Sequence, residues 1–441
     1  MAKGKTVAVV GGGWAGCAAG VELARTGHHV TLYEAARTLG GRARRVEIDG
    51  KRLDNGQHIL LGAYTATLRL LKQVGIDARQ ALLNLPLQMR YPTHSDGMDF
   101  VAPRWPAPLH LAAALLRSKG LTRADKLSLA RFSTTARWMD WHLDVDCSVT
   151  ELLQRYDQTD RLIALMWRPL CLAALNTAPE RASAKVFLNV LRDSLGAKKR
   201  RASDMLLPRL DLSALLPDAA AAYIGRHGGA VQLGAPVVAL QAAESGGWIV
   251  TASGQAPSQF DAVVLAAPAA HSATLLQQAG LTDAAARIPP FEWEAITTCY
   301  LQYDTSVRLA LPFFALRDDA AEGAWGQFVF DRGQLDDTQA GLLAVIISAS
   351  GAAAALGHVA LTALIAGQLA AVFGRAALAA PLWSQVITEK RATFACTPGL
   401  QRPANSTGRP GLVLAGDYTA SDYPATIEAA VRSGIAAAAS L

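Results

Sequence analysis

The chain has 441 residues, of which 51% are hydrophobic and 18% charged, and its formal net charge is +6. This length exceeds what one hydrophobic core usually supports, so we expect two domains. The five cysteines are scattered without metal-ligand spacing, so they are predicted to be reduced core thiols and no metal site is expected. Residues 198–201 form the only dense basic run; it lacks aromatic neighbours and is interpreted as a solvated loop, which argues against nucleic acid as a partner. Because residues 1–5 lead directly into an apolar strand, no signal peptide is expected and the predicted location is the cytoplasm.

The first strand candidate, residues 7–10, runs directly into the glycine-rich segment 11–16. A strand, tight turn and helix of this kind present backbone N–H groups to the pyrophosphate of a dinucleotide. A second strand candidate ends in Glu34, near the spacing at which an acid binds ribose hydroxyls. The alternative is a glycine-rich turn without a ligand. The predicted dinucleotide contacts in this part are Gly11, Gly13, Trp14, Ala15, Gly16, Glu34 and Ala35.

Two further motifs favour FAD over a nicotinamide cofactor. Residues 40–42 read Gly-Gly-Arg, which allows close backbone approach and supplies a planar cation for phosphate. Near the other end, a strand candidate runs into Gly416 and Asp417, and Pro424 is predicted to open a helix whose N-terminus faces the flavin and stabilises its reduced form. Asp417 is predicted to bind the ribityl chain, although Gly-Asp alone is typical of a plain turn. The predicted contacts here are Gly40, Gly41, Arg42, Gly416, Asp417, Ala425, Thr426 and Ile427.

The order of these patterns predicts an α/β fold: a Rossmann-like FAD-binding domain of the GR2 flavoprotein type with an inserted α+β substrate domain. The FAD-binding domain is predicted over 1–90, 204–270 and 399–441, and the substrate domain over 91–203 and 271–398. In the strand that returns to the FAD-binding domain, Val237 is predicted to contact the cofactor. The long uncharged stretch 341–374 is interpreted as a strand followed by a buried helix rather than a membrane span.

Residues 105–141 combine an apolar helix candidate with cations and tryptophans, which are the ingredients of a membrane-surface segment. An ordinary amphipathic helix with a charged outer face is the alternative, and both interpretations stay open. The first would make the protein peripheral on the inner face of the cytoplasmic membrane. The residues that carry this pattern are Trp105, Arg117, Lys119, Arg123, Lys126, Arg131, Arg137, Trp138 and Trp141.

Two segments carry a more specific resemblance: residues 54–64, DNGQHILLGAY, and residues 167–177, WRPLCLAALNT. With the motifs above, they resemble the hydroxysqualene dehydroxylases, also called squalene-associated FAD-dependent desaturases, within the flavin amine oxidase and phytoene desaturase superfamily. The resemblance covers the whole chain and implies a bacterial enzyme that removes the hydroxyl of hydroxysqualene with reduced FAD, giving squalene for hopanoids. It also implies that Gly56, Gln57 and His58 lie near the isoalloxazine.

The expected reaction ionises an allylic alcohol and quenches the cation with hydride from flavin N5. A proton donor would assist the departure of the hydroxyl, and His58 is the first candidate because histidine titrates near neutral pH; a loop-ordering role is the alternative. Asp422 and Tyr423 are the other candidates, with capping or packing as their alternative roles. Tryptophans and leucines are expected to line a long apolar tunnel for the polyprenyl substrate. The external reductant is unknown from sequence.

Two other functions remain open at this point. A carotenoid or phytoene-type desaturase or isomerase would act on a polyprene with the same FAD apparatus. A non-catalytic prenyl-lipid carrier would bind a polyprene without turnover, although the intact glycine motifs argue against it.

Overall fold

The computed structural model describes residues 4–441. Its strands, numbered in chain order, are β1 (Thr6–Val10), β2 (His29–Tyr33), β3 (Arg45–Ile48), β4 (Lys51–Asp54), β5 (Leu60–Leu61), β6 (Leu82–Leu85), β7 (Gln88–Arg90), β8 (Asp99–Val101), β9 (Met205–Pro208), β10 (Ala230–Gln232), β11 (Val237–Ala242), β12 (Trp248–Ala252), β13 (Ser258–Phe260), β14 (Ala262–Leu265), β15 (Trp293–Gln302), β16 (Phe313–Ala315), β17 (Phe328–Asp331), β18 (Leu342–Ser348), β19 (Trp383–Phe394), β20 (Ser406–Arg409) and β21 (Leu412–Leu414). Its α-helices are α1 (Trp14–Arg25), α2 (Thr65–Gln73), α3 (Ala78–Ala81), α4 (Leu109–Arg117), α5 (Arg123–Trp138), α6 (Val149–Arg155), α7 (Asp160–Leu162), α8 (Arg168–Leu175), α9 (Ala184–Ser194), α10 (Leu212–Leu215), α11 (Pro217–Arg226), α12 (Ala269–Gln278), α13 (Thr282–Ala286), α14 (Gly351–Ala354), α15 (His358–Phe373) and α16 (Ile427–Ala439).

A six-stranded sheet carries both ends of the chain, in the order β10-β2-β1-β14-β21-β20. Its first five strands run parallel, and β20 pairs antiparallel with β21 at the edge. Val9 lies opposite Leu32 on one side and Val264 on the other, and all three side chains are fully buried. Parallel strands covered on both faces read as continuous apolar runs, which is why these strands were visible in the sequence.

Small residues let the helices beside this sheet approach one another closely. α1 lies against α16 and α11. A Cβ atom added to Gly434 of α16 would lie 2.1 Å from the carbonyl oxygen of Ala15, so only glycine allows this approach. Glycine and alanine in these helices therefore hold both ends of the chain in one packed unit.

A second, antiparallel sheet of five strands has the order β16-β17-β18-β15-β19. Its central strand β18 is buried along its whole length, and Thr298 of β15 lies opposite Ile346 of β18 and Ile387 of β19. Smaller sheets are formed by β11, β12 and β13, by β5, β9 and β6, by β3 and β4, and by β7 and β8. α4 to α9 fill the sequence between β8 and β9, with a π-helical segment at Ile163–Trp167 between α7 and α8.

The structure corrects two sequence predictions in local detail. The C-terminal helix begins at Ile427 with Thr426 as its N-cap, three residues after the predicted start at Pro424. The helix after β18 is not buried: α15 buries one face, while residues such as Val359 are exposed. Across residues 4–441, no helix is both long enough and apolar enough to cross a bilayer. The predicted domain boundaries stay a prediction.

Candidate active site

The predicted dinucleotide turn forms a cradle that side chains would fill. Gly11 has a φ of +108°, and a Cβ atom there would lie 2.6 Å from the carbonyl oxygen of Ala266. A Cβ atom on Gly16 would lie 1.8 Å from the carbonyl oxygen of Gly11. At the second glycine motif, Gly40 pairs with Gly13 in an isolated parallel bridge and has a φ of +111°. Bare backbone on both sides of this groove fits a bound pyrophosphate.

Glu34 lies directly after β2, beside the glycine turn. Its Oε2 accepts a hydrogen bond from the backbone N–H of Gly12 at 2.7 Å, and its Oε1 accepts one from Ala36 at 2.8 Å. The carboxylate is therefore fixed beside the glycine turn, where the ribose attached to a bound pyrophosphate would lie. Ala35 is exposed and Ala15 buried. Trp14 is also buried, and its indole N–H donates to the carbonyl of Ala43 at 2.9 Å.

Arg42 joins the N-terminal and C-terminal motifs. One guanidinium nitrogen lies 2.6 Å from Oδ1 of Asp417, and another donates to the carbonyl of Ala392 at 2.8 Å. Burial opposes the charge of Arg42, but Asp417 outweighs it and the pKa of the guanidinium is raised. Gly416 precedes Asp417, and its N–H donates to Ser433 Oγ at 3.0 Å. The structure therefore brings together residues that are 375 positions apart.

The N-terminus of α16 opens toward a large cavity. Thr426 Oγ1 accepts a hydrogen bond from the N–H of Ala429 at 3.1 Å, so this helix start is capped by its own side chain. Ala425, Thr426 and Ile427 all line the cavity, as do Arg42, Gly56, Gln57 and His58. Val237 does not line this cavity; it is buried in β11, where its carbonyl accepts from His271, and its contact with the cofactor stays a prediction. The described residues thus place Arg42, the DNGQH segment and the start of α16 around one cavity.

This flavin cavity has a volume of about 310 Å³ and is mostly apolar. Phenylalanines from the antiparallel sheet form one wall, with Phe313 stacked on Phe328 at 5.6 Å and tilted against Phe330 at 5.1 Å between ring centroids. Leucines and methionines contribute the rest, as expected. The prediction of a tryptophan lining is wrong for this cavity: within residues 4–441 its lining contains no tryptophan.

His58 is half-buried in the cavity wall, with a fixed ring orientation. Its Nδ1 lies 2.8 Å from the carbonyl oxygen of Gly56, so Nδ1 carries the hydrogen and Nε2 is the nitrogen available to the cavity. Burial lowers the pKa of the imidazole. The ring is therefore mainly neutral at pH 7, and its protonated form is a stronger acid than an ordinary imidazolium.

Tyr423 lines the same cavity, whereas the side chain of Asp422 is exposed and does not reach it. The hydroxyl of Tyr423 donates to Oδ2 of Asp193, whose Oδ1 accepts from Arg192 at 2.8 Å. Burial raises the pKa of Tyr423, so the phenol stays protonated. Asp193 also lines the cavity and was missed, since nothing in the sequence of α9 connects it with a residue 230 positions away.

Arg332, in a buried network behind the DNGQH segment, was also missed, whereas Asp54 and Gln57 were predicted to organise this loop. Arg332 is 3% exposed, and it donates to Oε1 of Gln57 at 2.8 Å and to Oε1 of Gln339 at 2.8 Å. Asp54 accepts from the N–H of Leu212 at 2.8 Å, and burial raises its pKa to about 6. These contacts fix the loop that carries His58. A single arginine directly after a strand, as Arg332 is, has no sequence signal for this role until its partners are known.

Comparison with known proteins identifies the class. A family model described as flavin containing amine oxidoreductase matches residues 14–441. The chain therefore belongs to the flavin-containing amine oxidoreductase family.

Relatives narrow the family further. The chain is 32% identical to a hydroxysqualene dehydroxylase of Rhodopseudomonas palustris, over 98% of this chain and 97% of that protein. It is 29% identical to a hydroxysqualene dehydroxylase of Sinorhizobium fredii over the same shares. A zeta-carotene desaturase of Zea mays is 29% identical over 52% of this chain and 42% of that protein. Within the larger family, the chain belongs with the hydroxysqualene dehydroxylases.

Solved structures confirm the predicted fold class. An oxidoreductase from Methanosarcina mazei has a TM-score of 0.73 at 15% identity and covers 98% of this chain and 99% of that one. Cyclohexylamine oxidase from Brevibacterium oxydans has a TM-score of 0.68 at 16% identity, with coverage of 99% and 98%. At these identities the likeness concerns the fold. With the family match, it also confirms the prediction of a flavin enzyme.

Proposed function

We propose that this protein removes the hydroxyl group of hydroxysqualene to give squalene, with FAD as its cofactor. The observation that carries the proposal is one cavity in which Arg42, the DNGQH segment and the N-terminus of α16 face a wall of phenylalanine, leucine and methionine. The relatives with near full-length matches, named hydroxysqualene dehydroxylases, support this substrate. When bound and reduced, FAD supplies a hydride.

His58 is proposed to deliver the proton that lets the hydroxyl leave as water. The hydrogen bond from Nδ1 to Gly56 aims Nε2 at the cavity, and the lowered pKa makes the imidazolium a strong donor, though a sparsely populated one at pH 7. Turnover should therefore fall about tenfold per pH unit above the lowered pKa, which lies below 6.5. His58→Gln should remove that pH dependence. An unchanged profile in the variant would exclude His58 as the donor.

The phenylalanine wall is proposed to stabilise the allylic cation left after the hydroxyl departs. Phe313, Phe328 and Phe330 lie on neighbouring strands, so their rings form one aromatic surface with no ionic group of its own. An aromatic face attracts a cation by about 0.5–2 kcal/mol, and an apolar wall excludes the water that would recapture it. Tyr423, held by Asp193, is proposed to orient the substrate hydroxyl.

An anaerobic single turnover tests the whole proposal. The FAD-loaded enzyme is reduced, hydroxysqualene is added, and the oxidised-flavin absorbance is followed while the lipid is extracted. We expect reoxidation matched by squalene. Flavin that stays reduced with hydroxysqualene but accepts hydride from a phytoene-type substrate in its oxidised state would establish the desaturase alternative. A protein that refuses FAD would establish the lipid carrier.

We further propose that α4 and α5 form a surface for anionic lipid. Between residues 102 and 139 the chain has seven Lys and Arg residues and one acid, Asp125, which is buried and caps α5. Trp138 is 87% exposed and Leu116 75% exposed, and the guanidinium of Arg117 lies 4.8 Å from the ring centre of Trp105. Exposed apolar groups beside cations favour the interface of an anionic bilayer.

Two of the residues in the predicted surface lie outside it. Trp141 is 8% exposed and belongs to the core. Lys126 donates to the carbonyls of Leu116 and Ser118 at 3.0 and 2.8 Å, so its charge caps the end of α4.

Flotation with vesicles containing anionic lipid tests this surface. Reversing the charges of three surface cations should abolish flotation: Arg117, Lys119 and Arg123 to Glu. The matched control reverses three exposed cations outside α4 and α5 and should leave flotation intact: Lys72, Arg79 and Arg226 to Glu. Equal flotation of both triple variants would contradict the proposal.

A further inference from the structure

A second cavity lies beside the flavin cavity, between α4, α5 and α9. Its volume is about 240 Å³, and most of its lining is apolar. We call it the distal chamber. Its floor is made of buried core residues, including Phe132, Trp141 and Trp167. The tryptophans expected along a substrate tunnel are therefore found here rather than at the flavin.

The distal chamber and the flavin cavity share one wall. Both cavities are lined by Leu87, Phe100, Met166, Leu191 and Leu195. These five side chains are all apolar, so the partition between the cavities offers no polar side chain to a ligand. The wall includes Met166, which has a flexible side chain and can repack around a bound chain.

Met166 belongs to the π-helical segment Ile163–Trp167. Such segments are rare, occur mostly as single-turn bulges inside α-helices, and are frequent at functional sites. Here the segment places Met166 between the two cavities and Trp167 in the distal chamber. The irregular helix thus shapes the partition between the two cavities.

The other end of the distal chamber reaches the protein surface. Pro108, Leu109 and Ala112 from the α4 side and Thr134 and Arg137 from α5 line the chamber and are exposed. This mouth opens on the face that carries the exposed apolar and cationic groups of α4 and α5. The distal chamber therefore lies between that face and the flavin cavity, from which the shared apolar side chains separate it.

We infer that the distal chamber binds the end of one polyprene arm of the substrate while the allylic alcohol lies in the flavin cavity. This inference rests on the proposed function. A ligand pocket for an ordinary drug-sized molecule spans about 300–1,000 Å³, and the flavin cavity of about 310 Å³ must hold the flavin ring as well as the reacting part of the substrate. The remaining length of a linear polyprene needs further apolar volume, which the distal chamber supplies.

Filling the chamber from α5 tests the inference. Ala130 lines the chamber and is half-buried, so Ala130→Phe places a ring in it without touching the flavin cavity. Ser133→Phe is a second variant of the same kind, should the first fold poorly. Ala124→Phe is the matched control, because Ala124 lies on α5, is exposed and does not line the chamber. Flavin absorbance of each purified variant reports whether the FAD-binding part is intact.

Each variant is assayed with hydroxysqualene and with a truncated analogue that keeps the allylic alcohol but lacks the end of one arm. Each methylene displaced from an apolar site weakens binding about fourfold, so displacing two raises KM for hydroxysqualene roughly fifteenfold. We expect Ala130→Phe to show this rise in KM with kcat unchanged. Its KM for the truncated analogue should stay within about twofold of the wild-type value. The control Ala124→Phe should behave as wild type with both substrates.

Equal KM values for hydroxysqualene in wild type and both chamber variants, or an equal rise for both substrates, would overturn the inference. Failure of the proposed function gives a different result, namely no squalene from the wild-type enzyme. Binding of squalene itself is therefore measured by calorimetry on the same proteins. If only the two chamber variants lose squalene binding, the inference that the distal chamber binds a polyprene arm is still supported. If their squalene binding equals that of wild type, the inference is overturned.

Discussion

Glu428 offers a direct test of how the C-terminal helix is held at the flavin site. Its carboxylate is fully buried in the first turn of α16 and accepts from the backbone N–H of Ala66 at 3.0 Å and from the N–H and Oγ1 of Thr67 at 2.9 and 2.7 Å. Arg432 lies 2.7 Å from its Oε1. α2 has no side-chain cap of its own, so Glu428 caps α2 from the neighbouring helix.

Glu428→Gln keeps the size of the side chain but provides only one acceptor oxygen. The hydroxyl of Thr67 can reverse its hydrogen bond, but one buried backbone N–H, of Ala66 or Thr67, then faces an amide donor. An unpaired buried N–H costs about 1–3 kcal/mol, and the remaining hydrogen bonds lose their charge. We expect the free energy of unfolding to fall by about 3 kcal/mol in total.

Urea denaturation at fixed protein and FAD concentrations measures this loss, because bound FAD itself stabilises the folded state. The matched control is Glu22→Gln. Glu22 pairs with Arg25 at 2.6 Å on the surface of α1, with the Arg25 side chain 49% exposed, so its loss should cost less than about 1 kcal/mol. If the two variants lose free energy of unfolding by amounts within about 0.5 kcal/mol of each other, the argument for a buried capping charge is wrong.

Three further outcomes are expected. Gly16→Ala should yield protein without flavin absorbance, because the added Cβ would collide with backbone. In the control Gly225→Ala, the added Cβ meets open space beside α11. That variant should keep FAD and gain up to about 1 kcal/mol of stability. The raised pKa of Asp54 means that the folded state holds its proton more tightly than the unfolded state does. Stability is therefore lost as pH rises from about 4 through 6, by about 3 kcal/mol in all. The drop in urea midpoint between about pH 4 and pH 7 should be smaller in Asp54→Asn than in wild type. Tyr423→Phe should raise KM about fivefold through one lost hydrogen bond, and a fall in kcat of more than about a hundredfold would instead make Tyr423 the proton donor.

The glycine turns of the predicted flavin-binding half of the site could be recognised from local sequence. The turn at Gly11 and the Gly-Gly-Arg motif at residues 40–42 depend on backbone that only glycine can adopt, so the residue type itself reports the conformation. The apolar strands β1, β14 and β21 were visible because a parallel strand covered on both faces is apolar throughout. The start of α16 was misplaced because a proline suits both a first turn and the loop before it.

The substrate side of the site was not predictable in this way. Asp193 and Arg332 act through partners on distant segments, and neither has a sequence signature. The aromatic wall consists of phenylalanines from β16 and β17, whose shared face is set by strand pairing. An apolar residue in a pattern looks the same whether it fills a core or lines a cavity.

The sequence by itself determined that this chain binds a flavin dinucleotide, because glycine turns are short, local and chemically constrained, and the family that residues 54–64 and 167–177 resemble implied polyprene chemistry. Only the tertiary structure decided which polar groups meet at the cavity, that its wall is phenylalanine rather than tryptophan, and that a second chamber adjoins it. The physical reason is that a cavity is formed by what surrounding elements leave unfilled. The shape of that unfilled space depends on packing between segments far apart in the chain, and no residue type in the sequence indicates it.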